Sequence, residues 1–109
     1  MFIRDIHSNK ETVTTALYEL KVSIELTRKS KNKVLCLIVG YGSSGKTHKI
    51  NTAVVEELQN MKETKKIKDF IRGNNLDLFC SEYLNFKYKD LIPNEEKKKM
   101  NPGAIFVIV

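Results

Sequence analysis

Two unbroken apolar runs constrain this chain more than any other feature: Val34-Leu-Cys-Leu-Ile-Val39 and Ala104-Ile-Phe-Val-Ile-Val109. A strand with one wet face alternates apolar and polar residues. A strand that is apolar at every position is buried on both faces. Both runs are therefore expected inside a sheet. Neither can cross a bilayer, which takes about 20 residues.

The segments between them supply the rest of a fold. Phe2, Ile3 and Ile6 predict a first strand over residues 2–6. Ser8 and Glu11 stand in S-x-x-E order, a capping box ahead of a helix. Val13, Ala16, Leu17, Leu20 and Ile24 recur at helical spacing, so a first helix is expected from Glu11 to about Lys29. After the first apolar run comes a glycine- and serine-rich turn, Gly40 to Gly45. A second helix is expected from about Thr47 to Lys62, with Ile50, Ala53, Val54, Leu58 and Met61 inward. Ile67, Phe70 and Ile71 predict a third strand. Leu76, Phe79 and Tyr83 suggest one face of a short helix over Leu76 to Leu84. Residues 85–102 are polar and are read as a loop, the bulk of a long insertion over 73–102. A loop of that length is uncommon unless it is functional. The 109 residues thus make one α/β domain, a two-layer α/β sandwich. Its four-stranded mixed sheet has the order β-α-β-α-β-β. The helix between the first two strands implies a parallel crossover.

The loop after the first apolar run carries a complete nucleotide-binding pattern. Gly40-Tyr-Gly-Ser-Ser-Gly-Lys46-Thr47 fits G-x-x-x-x-G-K-[ST] between a predicted strand and a predicted helix. A P-loop enzyme also needs an acidic residue at the end of another buried strand to hold magnesium. The last apolar run ends at Val109 without one, and Asp69 falls in the middle of its predicted strand. The chain is also short for such a domain. Nucleotide binding therefore ranks third among the functions considered. The physics of the loop outlasts the label. Closely spaced glycines uncover backbone amides at a helix N-terminus, and amides and dipole attract phosphate. Gly40, Gly42, Ser43, Ser44, Gly45, Lys46 and Lys49 form the expected phosphate-binding set. The plainer alternative is a tight turn in which glycine supplies a positive φ.

Asp5-Ile6-His7-Ser8, a helix, an apolar strand running into Gly40-x-Gly42, a second helix, and a last strand after Gly103 follow one another in order. This succession resembles the small MutS-related (Smr) domain, over nearly the whole chain. That family has a first strand ending L-D-x-H-G and a middle strand ending in H-G-x-G or T-G-x-G. Here Ser8 replaces the glycine after the histidine, and Val39 replaces the His or Thr before the loop. The resemblance implies a fold like the C-terminal domain of bacterial initiation factor three. It implies DNA or RNA as partner and, in several members, phosphodiester cleavage. Asp5 and His7 would be the catalytic residues, with Asp5 as ligand to a divalent metal such as Mg or Mn. Val39 bears on cleavage more than on binding.

Elementary chemistry agrees with those roles. In a parallel crossover the C-terminal ends of adjacent strands share an edge, where α/β sheets bind ligands. A carboxylate can hold a cation or orient an imidazole, and an imidazole can move a proton on a phosphodiester. The plain alternatives are a strand-end aspartate and a turn histidine. Lys and Arg number 19 against 13 acids, a net charge of +6, which suits a polyanion. Lys46 and Lys49 place some of it beside the loop. Arg28, Lys29, Lys31 and Lys33 are expected at the far end of the strand, where a helix end accounts for much of the cluster. Cys36 and Cys80 are expected as reduced thiols. Met1-Phe-Ile-Arg-Asp has no basic leader ahead of an apolar stretch, so a cytoplasmic protein without membrane contact is expected. A binding module without catalysis is the second functional candidate.

Overall fold

Both apolar runs are interior strands. A computed structural model describes residues 1–6, 12–40, 45–77 and 79–109, with backbone alone for 45–47. The strands are β1 (Phe2–Asp5), β2 (Val34–Ile38), β3 (Asp69–Arg72) and β4 (Ala104–Ile108), in the spatial order β1-β2-β4-β3. β1 and β2 pair in parallel, as the crossover implied. β4 runs antiparallel to both β2 and β3 and lies between them. The result is a mixed four-stranded sheet in an α/β protein. No helix of the described residues is long and apolar enough to cross a membrane.

Two long helices, α1 (Val13–Lys29) and α2 (Gly45–Glu63), cover one face. Leu35, Leu37, Val39, Ile105 and Val107 meet Ala16, Leu20, Ile24, Val54 and Leu58 in a single apolar cluster. α1 begins at Val13, later than expected. Its cap is Thr12, whose hydroxyl accepts from the Thr15 N–H at 3.2 Å. The capping box at Ser8 and Glu11 lies outside the described residues. Val13, expected inward, is exposed. Ser23 and Thr27 are buried on α1, each hydroxyl donating to the carbonyl one turn back, at 2.6 and 2.7 Å. Those bonds remove the cost of burying a hydroxyl.

The opposite face of the sheet is covered too, and here the expected loop is corrected. Between β3 and β4 the chain forms a 3-10 turn at Gly73–Asn75, helix α3 (Ser81–Leu84), a second 3-10 turn at Lys89–Leu91, and helix α4 (Asn94–Lys99). Leu76, Tyr83, Phe86 and Ile92 from this segment pack on Val34, Cys36, Ile71, Phe106 and Ile108. The sandwich therefore carries a third, thinner layer. The Lys89 and Lys97 ammonium groups lie 5.3 and 5.9 Å from the centre of the Tyr83 ring. Phe86 meets Tyr88 edge to face. The single helix expected from Leu76 to Leu84 does not form. Leu76 and Tyr83 are buried as expected, but Phe79 is 93% exposed.

A solvated loop would tolerate truncation of its apolar side chains, whereas a packed layer would not. Phe86→Ala and Ile92→Ala should each destabilise the protein by about 2–5 kcal/mol in a denaturant melt. Phe79→Ala should change stability by less than about 0.5 kcal/mol.

Candidate functional site

The parallel pairing of β1 with β2 sets Asp5 beside Ile38, and the antiparallel pairing sets Ile38 beside Ala104. One row further into the sheet, Arg4, Leu37, Ile105 and Arg72 stand side by side, so β3 also ends at this edge. Strand spacing puts Asp5 and Ala104 about 10 Å apart across β2. One edge of the sheet thus collects the ends of β1, β2 and β3 and the start of β4. α2 begins at the same edge, at Gly45.

Three glycines meet there, one for its backbone conformation and two for space. Gly40 has φ 83°, a conformation that favours glycine. The Val39 and Gly40 N–H groups both donate to the Gly103 carbonyl, at 2.8 and 3.2 Å. A Cβ on Gly103 would stand 3.2 Å from the Gly40 carbonyl carbon. A Cβ on Gly73 would stand 2.2 Å from the Asn101 carbonyl oxygen, far inside non-bonded contact. The Asn101 side chain accepts from the Gly103 N–H at 2.9 Å and shapes the turn into β4. Asn51 on α2 donates to the Gly40 carbonyl at 3.3 Å, tying the helix to the end of β2. Sequence reasoning overlooked Asn51, Gly73 and Asn101. The Asn101-Pro102-Gly103 turn was the available signal for one of them.

The described members of the expected site fall into two groups. Gly40 and Gly45 lie at the edge, and Lys49 is exposed on the first turns of α2, as is His48. The side chain of Lys46 and the residues His7, Gly42, Ser43 and Ser44 lie outside what is described, as does Tyr41. Asp5 is exposed at the same edge but on the other face. Side chains alternate along a strand. Phe2 and Ile6 pack with the helices, and Arg4 reaches α1, 2.8 Å from Glu19. Ile3 and Asp5 therefore point to the side away from α2. A ligand that touches both Asp5 and the start of α2 must cross the rim of the sheet.

The chain matches no family model, no curated protein and no solved structure.

Three further positions bear on chemistry. Val39 is 1% exposed and belongs to the core beneath α1 and α2, so it presents nothing to a ligand. Asp69 opens β3 rather than sitting mid-strand, and it pairs with Lys62 at 3.0 Å. It is at the end of the sheet opposite Gly40 and cannot reach a metal at the glycine loop. Cys36 is buried, and burial pushes its thiol up to about 11, with Glu96 adding to the rise and Lys99 opposing it. A thiol held above its ordinary range stays protonated at neutral pH and is unreactive. Among the described residues, no three His, Cys, Asp or Glu side chains gather as a metal site.

Two measurements check this geometry. Gly73→Ala should destabilise the protein by about 1–3 kcal/mol through overpacking. In the native protein an alkylating reagent at pH 8 should label the partly exposed Cys80 and spare Cys36 until denaturant is added. Equal labelling of both thiols would contradict the packed third layer.

Proposed function

We propose that this chain is an Smr-like domain that binds structured DNA or RNA through the glycine edge and cleaves it at a phosphodiester. The observation that carries this is the meeting of Asp5, Gly40 and Gly103 at one sheet edge, beside the start of a long helix. Gly40 and Gly103 pair backbone to backbone, which brings together two of the residues that carry the resemblance. The strand and helix order also fits the finer comparison with the C-terminal domain of bacterial initiation factor three. The proposal includes a cytoplasmic location.

In this reading the amides at the start of α2, with Lys46 and Lys49, hold a phosphate. His7 moves the proton of an attacking water. A divalent ion, Mg or Mn, would rest on Asp5, with phosphate oxygens and water completing its shell. Magnesium often binds through so few protein ligands. When bound, the ion would supply charge to offset that growing on the phosphate.

One observation favours a binding module without catalysis. Val39 fills a core position where the family carries His or Thr, so the polar group is absent and cannot be restored without disturbing the core. Nucleotide binding is weaker still, because Asp69 is at the wrong end of the sheet.

Binding to a nicked or branched duplex and to an RNA hairpin, read by fluorescence anisotropy, should weaken at least about tenfold between roughly 50 and 200 mM salt. Absence of binding at low salt would overturn the proposal. With Mg or Mn, wild type should cleave at least about a hundredfold faster than the Asp5→Ala, His7→Ala double variant, with similar affinity. Equal rates in the two proteins would leave the binding module in front. Calorimetry with ATP and GTP should show no heat. Micromolar binding lost in Lys46→Ala would put the nucleotide reading first.

A further inference from the structure

The positive surplus of this chain does not lie at the glycine edge. Residues 21–33, the second half of α1 and the turn into β2, carry Lys21, Arg28, Lys29, Lys31 and Lys33 against Glu25. Residues 62–69, the end of α2 and the turn into β3, carry Lys62, Lys65, Lys66 and Lys68 against Glu63 and Asp69. Nine basic and three acidic residues leave a surplus of six, equal to the +6 of the full chain. The remainder, Lys46 and Lys49 included, is balanced.

The two segments meet at one end of the molecule. The Arg28 guanidinium donates to the Lys66 carbonyl. The Lys68 N–H donates to the Ile108 carbonyl at 2.8 Å, and the Val109 N–H to the Lys33 carbonyl at 3.1 Å. These contacts bracket the starts of β2 and β3 and the end of β4, opposite the glycine edge. Between the helix ends is a shallow cleft of about 450 Å³, lined by Lys21, Glu25, Arg28, Lys65 and Lys66 with Ile24 and Met61. All nine basic residues are exposed. Arg28 pairs with Glu25 and Lys62 with Asp69, at 2.8 and 3.0 Å. The other seven make no ion pair among the described residues.

A helix end attracts cations, and that accounts for one or two of these lysines. It does not account for like charges gathered from two neighbouring helix ends, which repel one another. Nor does it account for Lys31 at φ 62° and Lys65 at φ 63°. Each closes a helix in a left-handed conformation that glycine or asparagine adopts more readily. Both turns carry a lysine where the backbone conformation favours glycine or asparagine.

We propose that this end is a second nucleic-acid surface, one that grips the sugar-phosphate backbone of a duplex. The inference rests on the nucleic-acid reading above and adds a surface outside the proposed site. Lysine tips are point charges that suit phosphates and carry little base readout. Neither segment contains an aromatic residue on which a single strand would stack its bases. The exposed large apolar residues, among them Ile3, Phe79 and Leu84, lie outside both segments, so nothing there enters a lipid interface. The two surfaces occupy opposite ends of the strands and can be separated by mutation.

The test replaces Lys29, Lys31, Lys65 and Lys66 by Gln in one variant and by Arg in another. Lys46→Gln with Lys49→Gln is the comparison at the glycine edge. Circular dichroism melts check folding. Anisotropy on a labelled duplex DNA and a duplex RNA is followed through a KCl series. The Gln variant should lose about a hundredfold or more in affinity at low salt, and its log–log salt slope should fall by roughly 3–4. The Arg variant should bind like wild type. A folded Gln variant that binds like wild type, while the Lys46, Lys49 pair does not, overturns this surface and leaves the nucleic-acid reading standing. No binding by wild type to any nucleic acid overturns both. Loss by the Gln variant on phosphatidylserine vesicles but not on duplex overturns it in favour of a membrane surface.

Discussion

β4 is inserted between β2 and β3, and most of the architecture depends on that pairing. Its five residues make antiparallel ladders on both sides, Phe106 standing between Cys36 and Ile71. Within the sheet β3 is attached only through β4. Ile105 and Val107 face the long helices, while Ala104, Phe106 and Ile108 face the short ones. One strand thus belongs to both cores, which is why every residue of it is apolar. The same insertion returns the chain to the edge where β2 ends, so that Gly103 can accept from Val39 and Gly40.

β3 ends and β4 begins at that one edge, and adjacent antiparallel strands need no more than a two-residue turn between them. The chain instead spends residues 73–103 there. What those residues do is cover the second face of the sheet. Cys36, Ile71 and Phe106 would otherwise be in water. Tyr83, Phe86 and Ile92 are too few and too irregularly spaced to announce a helix, and lysines surround them. Their burial depends on a sheet face that exists only after β4 has paired. Phe79 makes the converse point, since it shares a helical spacing with Leu76 and Tyr83 and still projects into solvent. Periodicity predicts a face only where the helix that carries it forms.

The candidate site was legible in part. Gly40 and Gly103 stand out in the sequence, and their reasons differ: Gly40 needs a positive φ, and Gly103 runs close against the Gly40 backbone. Asp5 was correctly expected at the end of β1. The alternation along β1 then sends its side chain to the face away from α2, which the spacing of motifs along the chain does not reveal. Gly73, Asn51 and Asn101 shape the same edge from three distant segments. Charge was legible in part: Arg28, Lys29, Lys31 and Lys33 were expected at the far end of β2, but their meeting with the lysines that follow α2 was not. Arg28 and Lys66 are far apart in sequence and meet only because α1 and α2 end side by side.

The sequence by itself determined the local elements: two strands apolar on both faces, two amphipathic helices, a glycine turn between strand and helix, and a surplus of lysine. Each of these follows from interactions between near neighbours, or from the simple need of apolar residues to leave water. Tertiary structure decided that β4 enters the sheet between β2 and β3, that residues 73–102 form a layer, which way Asp5 points, and where the +6 collects. These depend on pairings between residues distant along the chain. No short-range pattern encodes them, because each becomes favourable only once the others have formed.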